Sequence, residues 1–150
     1  MIMSYTFRKT AKIVVCILLC AAALMSVACS GKKQTVSRKE AQNIVESFFD
    51  ALADNKTDKA ISLLHPSGNV VLDEYMHLMK NNYKIDLQRG IIIDNYTGYT
   101  AVNYDSSVKG AYAEISANIL SAEGERAVLV VRVVENEEGR GIYSFSITKK

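Results

Sequence analysis

Residues 1–12 carry Arg8, Lys9 and Lys12 and no acidic side chain. An apolar run follows from Ile13 to Ala28, with Ser26 its one polar residue. After a polar stretch, Ser30–Val36, the apolar positions take up helical spacing at Ala41, Ile44, Val45, Phe48, Phe49 and Leu52. Ser37 stands three residues ahead of Glu40, the spacing of a capping box. The pattern therefore predicts a helix from Ser37 to about Ala53, stopped at Asn55. Asp58 is positioned to cap a second, shorter helix carrying Ala60, Ile61, Leu63 and Leu64. Pro66 restricts His65 and ends it. Ser67-Gly68-Asn69 reads as a turn. A third helix is expected over about Val70–Lys80, with Val71, Tyr75, Leu78 and Met79 on one side and Asn81-Asn82 at its end.

From Tyr83 onward the period changes from 3.6 to 2. Ala111, Ala113, Ile115, Ala117 and Ile119 alternate with Tyr112, Glu114, Ser116, Asn118 and Leu120. Val128, Val130, Arg132 and Val134 alternate with Leu129, Val131 and Val133, and Tyr143, Phe145 and Ile147 with Ser144, Ser146 and Thr148. Turn residues separate these runs at Asp105-Ser106-Ser107, Glu123-Gly124 and Glu137-Glu138-Gly139. A less regular strand over about Gly90–Tyr104 contains Gly98, the expected place of a bulge. The fold class is α+β: three N-terminal helices packed on one face of an antiparallel sheet of four or more strands.

A basic start, a short apolar run and small residues at its end are the parts of a secretory signal peptide. As a helix the run covers roughly 24 Å, short of the ~30 Å hydrocarbon core. Removing residues 1–28 changes the charge. The leader holds three of the eighteen basic residues and no acidic ones, so fifteen basic residues face sixteen acidic ones and the mature charge is −1. No clustered basic face suggests a nucleic-acid partner. The basic group Lys32, Lys33, Arg38 and Lys39 lies beside the leader and reads as a soluble tether, or as a contact to anionic lipid headgroups at about 1 kcal/mol per cation. No cysteine follows Cys29, so the domain has to be stable through its own core. About 110 residues suffice, burying roughly two thirds of the unfolded surface. No Cys/His cluster offers a zinc site, and no phosphate loop or nucleophile elbow implies a cofactor.

Leu24-Met25-Ser26-Val27-Ala28-Cys29 resembles the lipobox of bacterial lipoproteins, in which a small residue precedes the lipid-bearing cysteine. Ser26 stands where that family usually has Leu. The resemblance implies diacylglyceryl attachment at Cys29 and cleavage after Ala28. Two acyl chains at about 0.8 kcal/mol per buried CH₂ hold a protein stably. The expected organisation is a signal peptide over 1–28, a lipidated tether over 29–36 and a domain over 37–150. The partner implied is the membrane itself, on the extracytoplasmic face of a Gram-positive bacterium.

The domain from Ser37 to Thr148 resembles the nuclear transport factor 2-like superfamily. The resemblance is carried by Ala41-Gln42-Asn43-Ile44-Val45-Glu46-Ser47-Phe48-Phe49-Asp50-Ala51-Leu52, by Leu63-Leu64-His65-Pro66 and by Gly141-Ile142-Tyr143-Ser144-Phe145-Ser146-Ile147. Arg140-Gly141-Ile142 stands where that family often has Trp-Lys-Ile. The resemblance implies a cone: a curved sheet wrapped around the first helix. It also implies a homodimer through the sheet.

Two of that superfamily's enzymes, ketosteroid isomerase and scytalone dehydratase, work inside the cone with a carboxylate or histidine base. Their residues do not carry over one by one. Asp94 and Asp105 lie beside turn sequence. Asp73 and His77 fall four apart on the third helix, the spacing of an acid–base pair, of two metal ligands or of a solvated helical pair. His65 before Pro66 reads as a helix-end residue. Tyr96, Tyr99, Tyr104 and Tyr112 cluster where the first strands curve. They line a cavity for an amphipathic ligand, or are half-buried sheet residues. Asn55-Lys56-Thr57 and Asn95-Tyr96-Thr97 match the glycosylation pattern by coincidence. The expected function is a lipid-anchored, non-catalytic module that binds a small amphipathic ligand or a protein. The alternative is a small isomerase- or dehydratase-like enzyme.

Overall fold

Ser37 and Glu40 close the capping box that starts the first helix. The Ser37 N–H and hydroxyl both donate to Glu40 Oε2, over 3.0 and 2.6 Å, and the Glu40 N–H returns a bond to Ser37 Oγ over 3.3 Å. The computed structural model describes residues 35–150. Helix α1 spans Arg38–Ala53 and buries Ala41, Val45, Phe48, Phe49, Ala51 and Leu52. Its end is a Schellman motif. Asn55 turns left-handed at φ 55°, the Lys56 N–H donates to the Ala51 carbonyl and the Asn55 N–H to that of Leu52.

The next two helices depart from the sequence reading. Helix α2 spans Thr57–Ser62, and its cap is Lys56, with no side-chain bond; Asp58 sits inside the first turn. Helix α3 spans Leu72–Leu78 and runs on as a π-helical turn, Met79–Tyr83, straight through Asn81 and Asn82. Lys84 ends it in a left-handed conformation. Of the stripe expected on Val71, Tyr75, Leu78 and Met79, Met79 is buried and Tyr75 packs against the core, whereas Val71 and Leu78 are exposed; buried Leu72 and the core-packed Met76 take their places. The inward set is thus Leu72, Tyr75, Met76 and Met79, spaced i, i+3, i+4, i+7. A 3₁₀ turn over Leu87–Arg89 follows, so the period of 2 begins at Ile91, not at Tyr83.

Four strands complete the domain: β1 Ile91–Asp105, β2 Gly110–Ser121, β3 Arg126–Asn136 and β4 Gly139–Lys149. They pair antiparallel in the order β1-β2-β3-β4. Strand β1 is irregular because register shifts fall between Ile93 and Asn95, Tyr96 and Gly98, and Val102 and Asp105. Each of the first two inserts one residue. Ile93, Tyr96 and Tyr99, three apart, therefore face the same way, opposite Ile119, Ala117 and Ile115. A further shift between Arg132 and Val133 puts Ile142 on the core side together with Phe145 and Ile147.

Helix α1 lies on the face of the sheet made by Ala113, Ile115, Ala117, Ile119, Leu129, Val131 and Val133. It is tied to both sheet edges. Tyr96 on β1 donates its hydroxyl to Glu46 over 2.9 Å, and Phe48 and Phe49 meet the Phe145 ring on β4 edge-on at 5.4 and 5.9 Å. Arg140 adds a link at the other end of the helix, donating to Glu40 over 2.9 Å and to Glu135 over 2.6 Å. The architecture is α+β with a four-stranded antiparallel sheet. Among the described residues no helix is long and apolar enough to cross a membrane. The leader, Cys29 and the tether as far as residue 34 lie outside the described residues; of the expected tether's last residues, Val36 is buried in the core and belongs to the domain.

Candidate functional site

Of the proposed acid–base groups, Asp73 and His77 line one open depression on α3, with no bond between them among the described residues. Asp73 and His77 are exposed on α3, and His77 accepts the Asn81 side-chain amide at 3.0 Å. Asp94 is exposed on β1. Asp105 serves its own turn, accepting the Ser107 N–H over 2.7 Å, and the Ser107 hydroxyl holds its carboxyl below the ordinary carboxylate range. Among the described residues no cluster of three metal-ligating side chains occurs.

His65 is the buried histidine, and its tautomer follows from its neighbours. The Ser67 N–H donates to Nδ1 over 3.2 Å, so Nδ1 carries no proton. Nε2–H then donates to Asn136 Oδ1 over 3.0 Å. Asn136 spends its amide on the Val108 carbonyl, 2.8 Å away, and its oxygen also accepts the Glu138 N–H. The Ser67 hydroxyl lies 3.0 Å from Nδ1. Ser67, His65 and Asn136 thus stand in the order of a nucleophile, a base and an orienting amide. The Nδ1 lone pair, however, already accepts the Ser67 backbone. The group latches the loop after α2 to the two hairpins, the Nδ1 lone pair being shared between the Ser67 backbone and hydroxyl.

The four clustered tyrosines are not brought to one face of the sheet. Tyr96 and Tyr99 pack on the core face, with the Tyr99 hydroxyl donating to the Val36 carbonyl over 2.7 Å. Tyr104 is exposed. Tyr112 lies on the opposite face, its ring 4.6 Å beneath the Arg132 guanidinium, which also donates to Glu114 over 2.9 Å. Burial pushes the Tyr96 phenol up, and its bond to Glu46 pushes it further.

Sequence reasoning passed over the groove between α3 and the free edge of β4. It measures about 290 Å³ and is lined by Val70, Val71, Tyr75, Leu78 and Phe145, with Asn69, Glu74 and Ser144 at its rim. The exposure of Val71 and Leu78, 58% and 45%, marks it as apolar surface open to solvent. Its floor is strand edge. The Ile142 N–H donates to the Leu63 carbonyl and the His65 N–H to that of Ile142, so the loop after α2 covers the start of the edge. The Asn69 N–H donates to the Tyr143 carbonyl over 3.3 Å. Further along, the Ile147 N–H donates to the Tyr75 hydroxyl over 2.8 Å. Tyr75 is itself packed edge-on against Phe145 at 4.5 Å, and burial raises its titration. Backbone groups of alternate residues point the same way in a strand. The N–H and C=O of Phe145 therefore face the groove, with no partner among the described residues.

No protein-family model matches the chain, and no match is found among curated proteins or solved structures.

Proposed function

We propose that the chain is a lipid-anchored protein, held by Cys29 on the extracytoplasmic face of a Gram-positive cell membrane, whose domain is a non-catalytic interaction module. The finer picture of the fold belongs to this reading: three helices closing one side of a curved, cone-shaped sheet in the manner of the nuclear transport factor 2-like superfamily. The observation that carries the function is the α3–β4 groove, where exposed apolar side chains adjoin unpaired strand backbone. The titratable candidates favour no acid–base site, since Asp73, His77 and Asp94 are exposed and His65 is committed to its latch.

Intact-mass measurement on the membrane fraction tests the anchor. The expected species begins at Cys29 and carries a diacylglyceryl adduct, and Cys29→Ser abolishes the adduct. A full-length, unacylated protein as the sole species overturns the anchor. Crosslinking from a photoreactive residue placed at Val71 tests the module. A discrete adduct with a membrane or envelope protein is expected, and adducts with phospholipid alone overturn it.

A further inference from the structure

We infer that the α3–β4 groove takes an extended segment of a partner polypeptide with one bulky apolar residue and a Lys or Arg two positions away. The inference rests on the interaction-module reading and gives that module its ligand. The edge of β4 is closed on both sides of Phe145, by Asn69 at Tyr143 and by Tyr75 at Ile147. The gap therefore accepts one residue of a partner strand, whose C=O receives the Phe145 N–H and whose N–H donates to the Phe145 C=O. In a strand pair the side chain of that residue falls on the same side of the sheet as Phe145. There stand Val70, Val71, Tyr75 and Leu78, around about 290 Å³, ample for a Leu side chain. The closures at Tyr143 and Ile147 turn the rest of the segment off the edge, so that residues two positions along pass over the rim. Glu74 lies at that rim with Asp73 beside it, both exposed and neither in an ion pair among the described residues. The complement is a cation, so charge selects against an acidic segment.

The test uses the ¹⁵N-labelled full chain in detergent and two acetylated, amidated peptides, Lys-Ser-Leu-Ser-Lys and Glu-Ser-Leu-Ser-Glu. Without peptide, the Phe145 amide is expected to exchange at least about tenfold faster than that of Ser146, which pairs with β3. Millimolar Lys peptide should shift the Val71, Leu78 and Phe145 amides and slow Phe145 exchange. The Glu peptide should bind at least about fivefold more weakly, and Glu74→Lys should reverse the preference. Shifts absent at millimolar peptide, or equal for both peptides, overturn the inference. So does a Phe145 amide already protected without peptide: protection lost on dilution means a second copy fills the groove, and protection independent of concentration means a segment of the chain itself does. If peptide binding fails while the Val71 crosslink to a protein persists, the inference alone falls. If the crosslink fails as well, the module reading falls with it.

Discussion

His65 Nε2–H donates to Asn136 Oδ1 over 3.0 Å across 71 residues of chain, and Asn136 passes the connection on to the Val108 carbonyl in the β1–β2 turn. One buried imidazole thus fixes the loop after α2 to both hairpins at this end of the sheet. His65→Ala removes packing and leaves the Ser67 N–H without its acceptor. It is expected to cost on the order of 2–3 kcal/mol in urea unfolding. Asn136→Ala should cost about 1–2 kcal/mol. Because the two residues share one bond, the double variant should lose less than the sum by at least about 0.5 kcal/mol. Strict additivity would remove the latch.

Tyr75 closes the far end of the groove by accepting the Ile147 N–H over 2.8 Å. Tyr75→Phe keeps the ring against Phe145 and deletes that acceptor, for a loss of about 1 kcal/mol. Amide exchange at Ile147 should accelerate while its neighbours paired to β3 stay protected. Unchanged exchange at Ile147 would contradict the assignment of this bond.

The same phenols set an alkaline limit. Burial raises the titration of Tyr75, and burial together with Glu46 raises that of Tyr96. A raised phenol keeps its proton longer in the folded chain than in the unfolded one. The stability this contributes is complete below about pH 10, the unfolded tyrosine value, and is lost as pH rises through the higher folded values. Urea midpoints should therefore fall steeply above about pH 10. Tyr75→Phe and Tyr96→Phe should each flatten that fall, and an equally steep profile in the double variant would sink the attribution.

What the sequence disclosed follows from which signals are local. The Ser37–Glu40 box, the left-handed Asn55 and the alternation from Ala111 to Ile119 are short-range patterns, and the elements they predict are present. The third helix lies where its spacing predicts it, with Tyr75 and Met79 turned to the core, but Val71 and Leu78, apolar and helically spaced with Tyr75, are exposed, and Leu72 carries the burial instead. Composition cannot tell a helix face turned to the core from one turned to a groove. Strand β1 was blurred by two inserted residues that convert a period of 2 into the three-residue spacing of Ile93, Tyr96 and Tyr99. The groove was not legible at all. It depends on which β4 backbone groups remain unpaired, and that is settled by a loop some 75 residues earlier in the chain.

Gly141 is a requirement that only the packing reveals. A Cβ there would stand 2.7 Å from the His65 nitrogen and 2.8 Å from the Leu63 carbonyl oxygen, where the loop after α2 bridges in parallel to Ile142. Gly141→Ala is expected to destabilise by about 1–3 kcal/mol, as overpacking of a closed site does, and to loosen the loop's amides. Gly124 makes the contrast. It has a positive φ of 86° in the β2–β3 turn and open space around it. Gly124→Ala should cost only about 1 kcal/mol of backbone strain, with the loop after α2 undisturbed. Equal losses of loop protection in the two variants would place the effect elsewhere.

Glu40 joins the start of α1 to β4, because it both closes the capping box and accepts from Arg140 over 2.9 Å. The Ser37 hydroxyl, then the Ser37 N–H, then the charge of Arg140 hold its carboxyl below the ordinary value near 4.5. A depressed carboxylate contributes stability that is complete above the unfolded value and is lost as pH falls through the lower folded one. Ser37→Ala should cost about 1 kcal/mol at neutral pH, the ordinary effect of deleting a helix cap. Glu40→Gln keeps a residue that can return the bond to the Ser37 backbone, but it removes the titrating group and the charge facing Arg140. Its melting temperature should lie below that of the parent chain at pH 7, and the gap should close as pH falls from about 5 to 3. A gap that stays constant across that range would show that the cap, and not the charge of Glu40, is what the helix start depends on.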